Sequence, residues 1–439
     1  MYPPVFGRCG QSNHSPFSFF HPAMDGGILQ RIVGEKAWEE FLAHRLLKGR
    51  FNWRSFQEAD TYVEKHLYLP EAERIADGES LGIPERIVVN KMGTGKKRIV
   101  YRFQPDRMRV LKLIAHLLYR YDGIFSPNCY AFRRGVRPGD AVNRINKALR
   151  GKRMWAYKVD IHDYFNSISI PILLPMLAEI LKDDPPLFRF FRQLLDDDRA
   201  LVGDTVVRGQ RGVMAGLPTA SFLANVYLME VDRHFHEAGV IYARYSDDII
   251  LFAEDKETLD RHRSTLLAFF EEYRLTVNPS KERTYAPGEP YEFLGFRCLD
   301  HSIDISRATR EKMKGKIRRK ARSIRRRCSR EGKDPEKAVG ALIRCFNRKL
   351  FEMEEDDSLC WSSWFFPIIN RTEGLREIDR YLQENCRYVA TGRHNKANYR
   401  VRYSTLKQLG YRSLLHEFYL NRTENGRAPT AVGNLAENA

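Results

Sequence analysis

The feature that most limits what this chain can fold into is the stretch Val240-Ile241-Tyr242-Ala243-Arg244-Tyr245-Ser246-Asp247-Asp248-Ile249-Ile250-Leu251-Phe252-Ala253. Two apolar, β-favouring runs flank a short polar pair, which predicts a tight hairpin with Asp247 and Asp248 at its tip. Adjacent carboxylates there repel each other and lose hydration, an expensive arrangement unless a cation sits between them. Magnesium meets that need, because it prefers oxygen ligands and shares them with substrate phosphates. Ser-Asp-Asp is equally good chemistry for an ordinary solvated turn, so the tetrapeptide alone leaves both readings open.

A second acidic segment shifts the balance toward metal-dependent nucleotidyl transfer. Trp155, Tyr157, Val159 and Ile161 alternate with Ala156, Lys158, Asp160 and His162, the period of a half-buried strand. Asp160 lies near its end, opposite the apolar set, and Asp163-Tyr164-Phe165 follows. Two-metal phosphoryl transfer needs carboxylates converging from separate elements, one cation on the attacking 3′-hydroxyl and one on the phosphates. Asp160 from a strand and Asp247 from a neighbouring hairpin satisfy that requirement.

These segments together resemble a reverse transcriptase. Lys158-Val159-Asp160-Ile161 through Phe165 looks like the first palm motif, and Tyr245-Ser246-Asp247-Asp248 looks like the YxDD box. Lys97-Arg98-Ile99-Val100-Tyr101, then Gln104-Pro105-Asp106-Arg107, is similar to the fingers segment whose basic residues meet the incoming triphosphate. Tyr130-Ala131-Phe132-Arg133-Arg134-Gly135 resembles the SYGFRPG-like segment of bacterial retroelement enzymes. Leu275-Thr276-Val277-Asn278 with Lys281 looks like the palm segment that carries a lysine, and Phe293-Leu294-Gly295-Phe296 like the FLGF primer-grip hairpin.

The resemblance implies Asp160, Asp247 and Asp248 as catalytic carboxylates. It implies two Mg2+ ions held by Asp160, Ile161, Asp247 and Asp248. It also implies Arg98, Arg107, Asp163, Phe165, Gly216 and Lys281 as substrate-binding positions. Phe165, five residues after Asp160, stands where the family places an aromatic gate against the ribose 2′-hydroxyl.

One segment departs from the family. Most bacterial relatives carry QGxxxSP before an LxN segment, whereas this chain reads Ala215-Gly216-Leu217-Pro218-Thr219-Ala220-Ser221-Phe222-Leu223-Ala224-Asn225. Ala215 thus stands at the glutamine, Ala220 at the serine and Ser221 at the proline. The glutamine supports the nucleotide's sugar and template pairing, so ordinary nucleotide handling is put in doubt, but no metal ligand is lost. The SQ ending of diversity-generating enzymes is also missing. The AGxPxxSFLAN-like form resembles the bacterial unknown-group and abortive-infection lineages, which include defence-associated reverse transcriptases.

Composition agrees with a nucleic-acid partner. At 439 residues and 43% hydrophobic content the chain can bury a large core in two or three domains. A formal charge of +17 favours polyanions. From Arg307 to Arg330 there are thirteen Lys or Arg and one acid, Glu311. Met313, Ile317, Ala321, Ile324 and Cys328 recur there at steps of 4, 4, 3 and 4, leaving one apolar stripe. That pattern predicts a helix docked on the palm, with Arg318, Arg319, Arg325 and Arg326 offered to nucleic-acid phosphates. A merely solvated basic helix is the alternative.

The seven cysteines are dispersed without a CxxC pair, which argues against a disulfide framework or zinc ribbon and for a reduced, cytoplasmic protein. No apolar run approaches a membrane span. Residues 1–27 read as a loose leader without the signature of a secretory signal, and Met24 is a candidate natural start.

The expected architecture is α+β: a right-hand polymerase with fingers and palm over 28–300, a basic helical thumb over 301–350, and a C-terminal helical extension over 351–439. Helical patterning from Ile28 to Tyr68 offers Trp38, Phe41, Leu42, Leu46 and Leu47 as core. Ile87-Val88-Val89 and Ile99-Val100-Tyr101 flank Gly93-Thr94-Gly95, a predicted hairpin. Pro105-Asp106 starts a helix with Val110, Ile114, Leu117 and Tyr121 on one face. Asp196-Asp197-Asp198 and the acidic run from Glu352 to Asp357 read as a turn and a solvated boundary. Lys396, Arg400, Arg402 and Lys407 form a second basic region. No HNH-type His/Cys cluster points to an endonuclease.

The function expected is RNA-directed DNA synthesis, with dNTPs and a structured non-coding RNA template giving a cDNA product, in antiphage defence. An untemplated or protein-primed DNA terminal transferase and a catalytically silent RNA-binding scaffold are the alternatives. The choice between monomer and homo-oligomer is left open.

Overall fold

The computed structural model describes residues 26–47, 53–90, 97–209, 212–332, 334–352, 360–393, 398 and 400–424. Nearly all of the leader, Gly93-Thr94-Gly95, Met353 to Asp357 and Lys396 lie outside the described residues.

Along the chain, β1 (Glu85–Asn90) and β2 (Lys97–Arg102) pair antiparallel from Glu85↔Arg102 to Asn90↔Lys97. Their β-branched runs favour a pleated surface. The helix Pro105–Leu117 follows, with proline in its first turn, where a missing N–H costs nothing. Val110, Ile114 and Leu117 are buried as expected, and Tyr121 is buried one turn on, in the 3-10 segment Leu118–Ile124.

Upstream, the helix Glu35–Leu47 turns Trp38, Phe41, Leu42 and Arg45 inward rather than Leu46, which is 47% exposed. These inward positions follow the i, i+3, i+4, i+7 stripe, and the Arg45 guanidinium lies over the Phe41 ring. The side chain of Leu47 is outside the described residues.

β3 (Trp155–Asp160) is an inner strand of the palm sheet. β4 (Ala200–Val202) and β5 (Thr205–Val207) form a small hairpin that joins β1 through Leu201, giving a fingers sheet of order β2-β1-β4-β5. The palm sheet is completed by β6 (Ile241–Tyr245), β7 (Asp248–Ala253) and β8 (Arg283–Tyr285), in the order β6-β7-β3-β8. Every pairing in it is antiparallel.

The alternation read in β3 is present, but both faces are covered. Tyr157 and Val159 belong to the large core with Leu259, Leu266 and Phe270 of the helix Lys256–Glu272. Ala156 packs with Ile250, Phe252 and Tyr285 in a second core that continues into the thumb.

β9 (Tyr291–Phe293), β10 (Phe296–Leu299) and β11 (Ser302–Ile305) make a three-stranded meander. It crosses the boundary drawn at residue 300, because β10 and β11 pair from Phe296↔Ile305 to Leu299↔Ser302. Ser306 then caps the helix Arg307–Glu331 through the Thr309 N–H.

That helix buries the expected stripe of Met313, Ile317, Ala321 and Cys328, with Ile324 half-buried. Its main neighbours are not the palm but the helices Pro335–Phe351 and Glu373–Thr391. Leu342, Phe346, Ile378, Leu382 and Phe418 share its core, so the boundary drawn at 350/351 divides no core. Among the described residues no helix is long and apolar enough to cross a membrane.

Candidate active site

β6 and β7 pair from Ile241↔Phe252 to Tyr245↔Asp248, leaving Ser246-Asp247 as a two-residue turn. Ser246 takes φ 60°, a left-handed conformation that tight hairpins demand and non-glycine residues rarely supply. The turn folds against β3, and the Asp247 carbonyl accepts the Ile161 N–H at 3.0 Å. Asp160 stands directly opposite Asp248 in the β3–β7 register. The segment after the helix Lys256–Glu272 closes the other side. Asn278 donates its backbone N–H to the Asp160 carbonyl at 2.8 Å and its amide to Asp160 Oδ1 at 3.3 Å. Lys281 Nζ bonds Asp160 Oδ2.

Too many negative charges share this space. Burial, and then repulsion from Asp160, pushes the Asp247 carboxyl up, while Lys281 and Arg98 pull it down. Burial pushes Asp248 up to about 6 against the pull of Lys158. Asp248 Oδ1 is buried without a hydrogen bond, its closest ion-pair partner being Lys158 Nζ at 3.4 Å. An orphaned carboxylate oxygen within an all-oxygen donor set fits a hard divalent cation. Among the described residues, however, no group of three or more His, Cys, Asp or Glu is arranged to hold a metal. Lys281 occupies Asp160, so the geometry is that of a lysine-neutralised site.

A stability test follows from Asp248. Its ordinary value is 3.8 and its folded value about 6, so between these the folded state binds more protons than the unfolded state. Stability contributed by this group therefore falls as pH rises through that window. In metal-free buffer the stability advantage of Asp248→Asn over the wild type is expected to widen from pH 4 to about 6 and then level off. Thermal melts showing a constant difference would contradict the burial described here.

The other expected substrate residues divide. Arg98 is exposed on β2, and its charge acts on Asp247. Gly216 lies against β2 at φ +106°, where an added Cβ would come within 3.0 Å of the Tyr101 carbonyl. Both the conformation and the close approach require glycine. Next to it Ala215 is buried, its carbonyl accepting the Tyr101 N–H at 2.8 Å. Phe165 is half-buried, its ring 6.4 Å from Phe132, which in turn lies 6.3 Å from Tyr245. Asp163 is an exposed left-handed residue that accepts a hydrogen bond from the Asn166 amide at 2.9 Å.

Arg107 is not presented to the cleft. It pairs with Glu71 at 2.8 Å and bonds the Leu81 carbonyl. In the first turn of its helix, its side chain leans back toward the helix Leu69–Ala76. Arg325 likewise turns inward and donates to the Val389 carbonyl at 3.2 Å, whereas Arg318, Arg319 and Arg326 are exposed.

Sequence reasoning missed Lys158, Asn278 and Trp364. Lys158 and Asn278 sit inside quoted motifs but carry no signal that sets them apart. Trp364, on the short helix Trp361–Phe365, donates Nε1–H to the Leu294 carbonyl at 3.3 Å and places its ring 5.9 Å from Tyr245. Together with Asp248, Lys312, Lys316 and Lys349 it lines a cleft of about 520 Å³.

Residues 89–298 match the family described as "Reverse transcriptase (RNA-dependent DNA polymerase)". This stretch is a reverse transcriptase domain. The expected enzyme class and the mixed helix-and-sheet right-hand fold are thereby borne out. A search of the curated proteins finds no match. Among solved structures, apo telomerase from Candida tropicalis truncated from the C-terminal domain is similar at 14% identity and TM-score 0.41, covering 52% of this chain and 55% of that one. Telomerase from Candida albicans in complex with a TWJ fragment of telomeric RNA is similar at 13% identity and TM-score 0.42, covering 84% and 71%. Apo telomerase from Candida tropicalis gives 12% identity and TM-score 0.43, covering 76% and 61%. The chain thus spans about half the length of the first of these.

Proposed function

We propose that the protein is a metal-dependent RNA-directed DNA polymerase that copies an RNA template into cDNA. The observation that carries this reading is the meeting of Asp160 and Asp248 as register partners, with Asp247 held beside them by the Ile161 hydrogen bond. Asp160, Asp247 and Asp248, with Ile161 alongside, are the residues that would hold two Mg2+ ions. When bound, the ions would activate the 3′-hydroxyl and neutralise the triphosphate.

The chain's own residues do the rest. Lys281 balances the charge of Asp160, and a bound cation would compete with it for that carboxylate. Arg98 faces the triphosphate, Gly216 allows the 215–217 segment to press on β2, and Phe165 gates the sugar. The bacterial defence lineage and its dedicated structured RNA template are part of this reading, supported by the AGLPTASFLAN form of residues 215–225, and so is the cytoplasmic setting, supported by cysteines dispersed without a CxxC pair.

A second reading, an untemplated or protein-primed terminal transferase, is favoured by one observation. Ala215 is buried, and its methyl group has no hydrogen-bonding atom to offer a templating pair.

Primer extension separates these readings. Addition of dNTPs on an RNA template is expected with Mg2+ and lost when either Mg2+ or template is omitted. Extension without template supports the transferase. RNA binding with no extension under any condition overturns both. In the same assay Phe165→Ala is expected to raise ribonucleotide use relative to deoxyribonucleotide use by roughly tenfold or more. Unchanged sugar choice in a folded, active variant removes the gate.

A further inference from the structure

Behind the catalytic turn lies a charged pair that no motif led to. Arg244 and Asp232 are both 0% exposed. Arg244 Nε donates to Asp232 Oδ1 at 2.8 Å and Oδ2 at 3.0 Å, and Nη2 donates to Oδ2 as well. The Tyr242 hydroxyl adds a bond to Asp232 Oδ1 at 2.9 Å. The other arm of the guanidinium points elsewhere. Nη1 donates to Asn225 Oδ1 and to the Ser246 carbonyl, each at 3.3 Å, and Nη2 also meets Cys129 Sγ at 3.2 Å.

The main chain repeats the pattern. Arg244 donates its N–H to the Asn128 carbonyl at 3.0 Å, and its own carbonyl accepts the Tyr130 N–H at 2.9 Å. Asn225 completes the circuit by donating to the Ala131 carbonyl at 2.7 Å. One buried side chain therefore touches the peptide that precedes Asp247, the Asn225 motif residue and the segment leading to Phe132.

We infer that Arg244, with Asp232 as its counter-ion, is the positioning residue that sets the catalytic turn. This rests on the reading of Asp247 as a metal ligand. A buried ion pair is weak evidence for stability, since packed apolar residues of similar volume do as well or better. What the pair uniquely supplies is direction. The planar fork binds Asp232 in two-point fashion, which fixes the angle at which Nη1 meets the Ser246 carbonyl. Ser246 holds a left-handed conformation that is unfavourable for serine, and this bond sits on that residue. Lysine keeps the charge toward Asp232 but cannot reach Ser246 and Asn225 at the same time.

The test compares Arg244→Lys and the paired apolar variant Asp232→Leu/Arg244→Met with wild type. Thermal midpoint, Mn2+ binding followed by electron paramagnetic resonance, primer–template Kd, and kcat and KM for dNTP are measured per folded molecule. Arg244→Lys is expected to lower kcat 10- to 100-fold and to weaken Mn2+ binding about tenfold, with primer–template Kd within about twofold. The paired variant is expected to recover the midpoint without recovering kcat or Mn2+ affinity. A purely structural pair would give the opposite, with activity returning along with stability. Full kcat per folded molecule, or unchanged Mn2+ affinity, in either folded variant overturns the inference. If Asp247→Ala is inactive while the Arg244 variants are fully active, only this inference falls. If Asp247→Ala is active, the metal-ligand reading falls with it.

Discussion

Asp247→Ala is expected to reduce primer extension by a thousandfold or more, about 4 kcal/mol of barrier, while leaving the protein folded. The two halves of that expectation have one cause. Asp247 is buried beside Asp160, and its carboxyl is pushed up by burial and by that neighbour's charge. In the metal-free protein the ionised side chain is therefore a net cost to folding, and its removal is neutral or mildly stabilising. In catalysis the same charge is needed, because a divalent cation bridges the ligands that otherwise repel. Extension rate and thermal midpoint should thus move in opposite directions. The RNA-binding affinity of the variant should stay within about twofold, since the thumb arginines are untouched. Near wild-type extension would remove Asp247 from the chemistry. A collapsed midpoint would show that the turn depends on the carboxylate for its fold.

What was legible in the sequence follows from how local each signal is. The Val240–Ala253 hairpin, the β1–β2 pair and the apolar stripe of the thumb helix are encoded by residues a few positions apart, and each formed, with the hairpin tip at Ser246-Asp247 rather than Asp247-Asp248. Asp247 and Asp248 were legible because they lie on the first of these elements, and Asp160 because the alternation of β3 is just as local. Arg107 and Arg325 were not. Whether an arginine faces a ligand or is occupied within the fold depends on residues far away: Glu71 is 36 positions from Arg107, and Val389 is 64 positions from Arg325.

The contact of Trp364 with Leu294 spans 70 positions and left no trace in either segment. Buried Arg244 was invisible for a different reason. Inside an apolar β run, a single arginine reads as a solvent-facing residue until the sheet shows a partner on both sides of it. At residue 300 the Asp300-His301 turn looks like a linker in the sequence, while β10 and β11 pair across it.

The last expectation concerns the thumb. Arg318, Arg319 and Arg326 are exposed on a helix whose apolar stripe is already committed to the bundle, so their charge is available to phosphate. Phosphate contacts release counterions, which makes log affinity fall linearly with log salt, by about 0.9 per contact on a duplex. Replacing all three with Gln keeps helix propensity and removes three charges. If each makes one contact, the slope should flatten by about 2.7, which is roughly a 40-fold smaller loss of affinity between 50 and 200 mM salt. Arg325→Gln is the informative companion. Its guanidinium is bonded to the Val389 carbonyl and packs on Gly392, so it should lower thermal stability by about 1–3 kcal/mol and leave the slope nearly unchanged. The nucleotide-addition rate on a pre-bound primer should be preserved in both variants, because neither touches the carboxylates. An unchanged slope in the triple variant would make this face a solvated surface and move the search for the RNA contact to Arg400, Arg402 and Lys407. A flattened slope in Arg325→Gln would mean that the Val389 bond gives way when nucleic acid binds, returning Arg325 to the contact set.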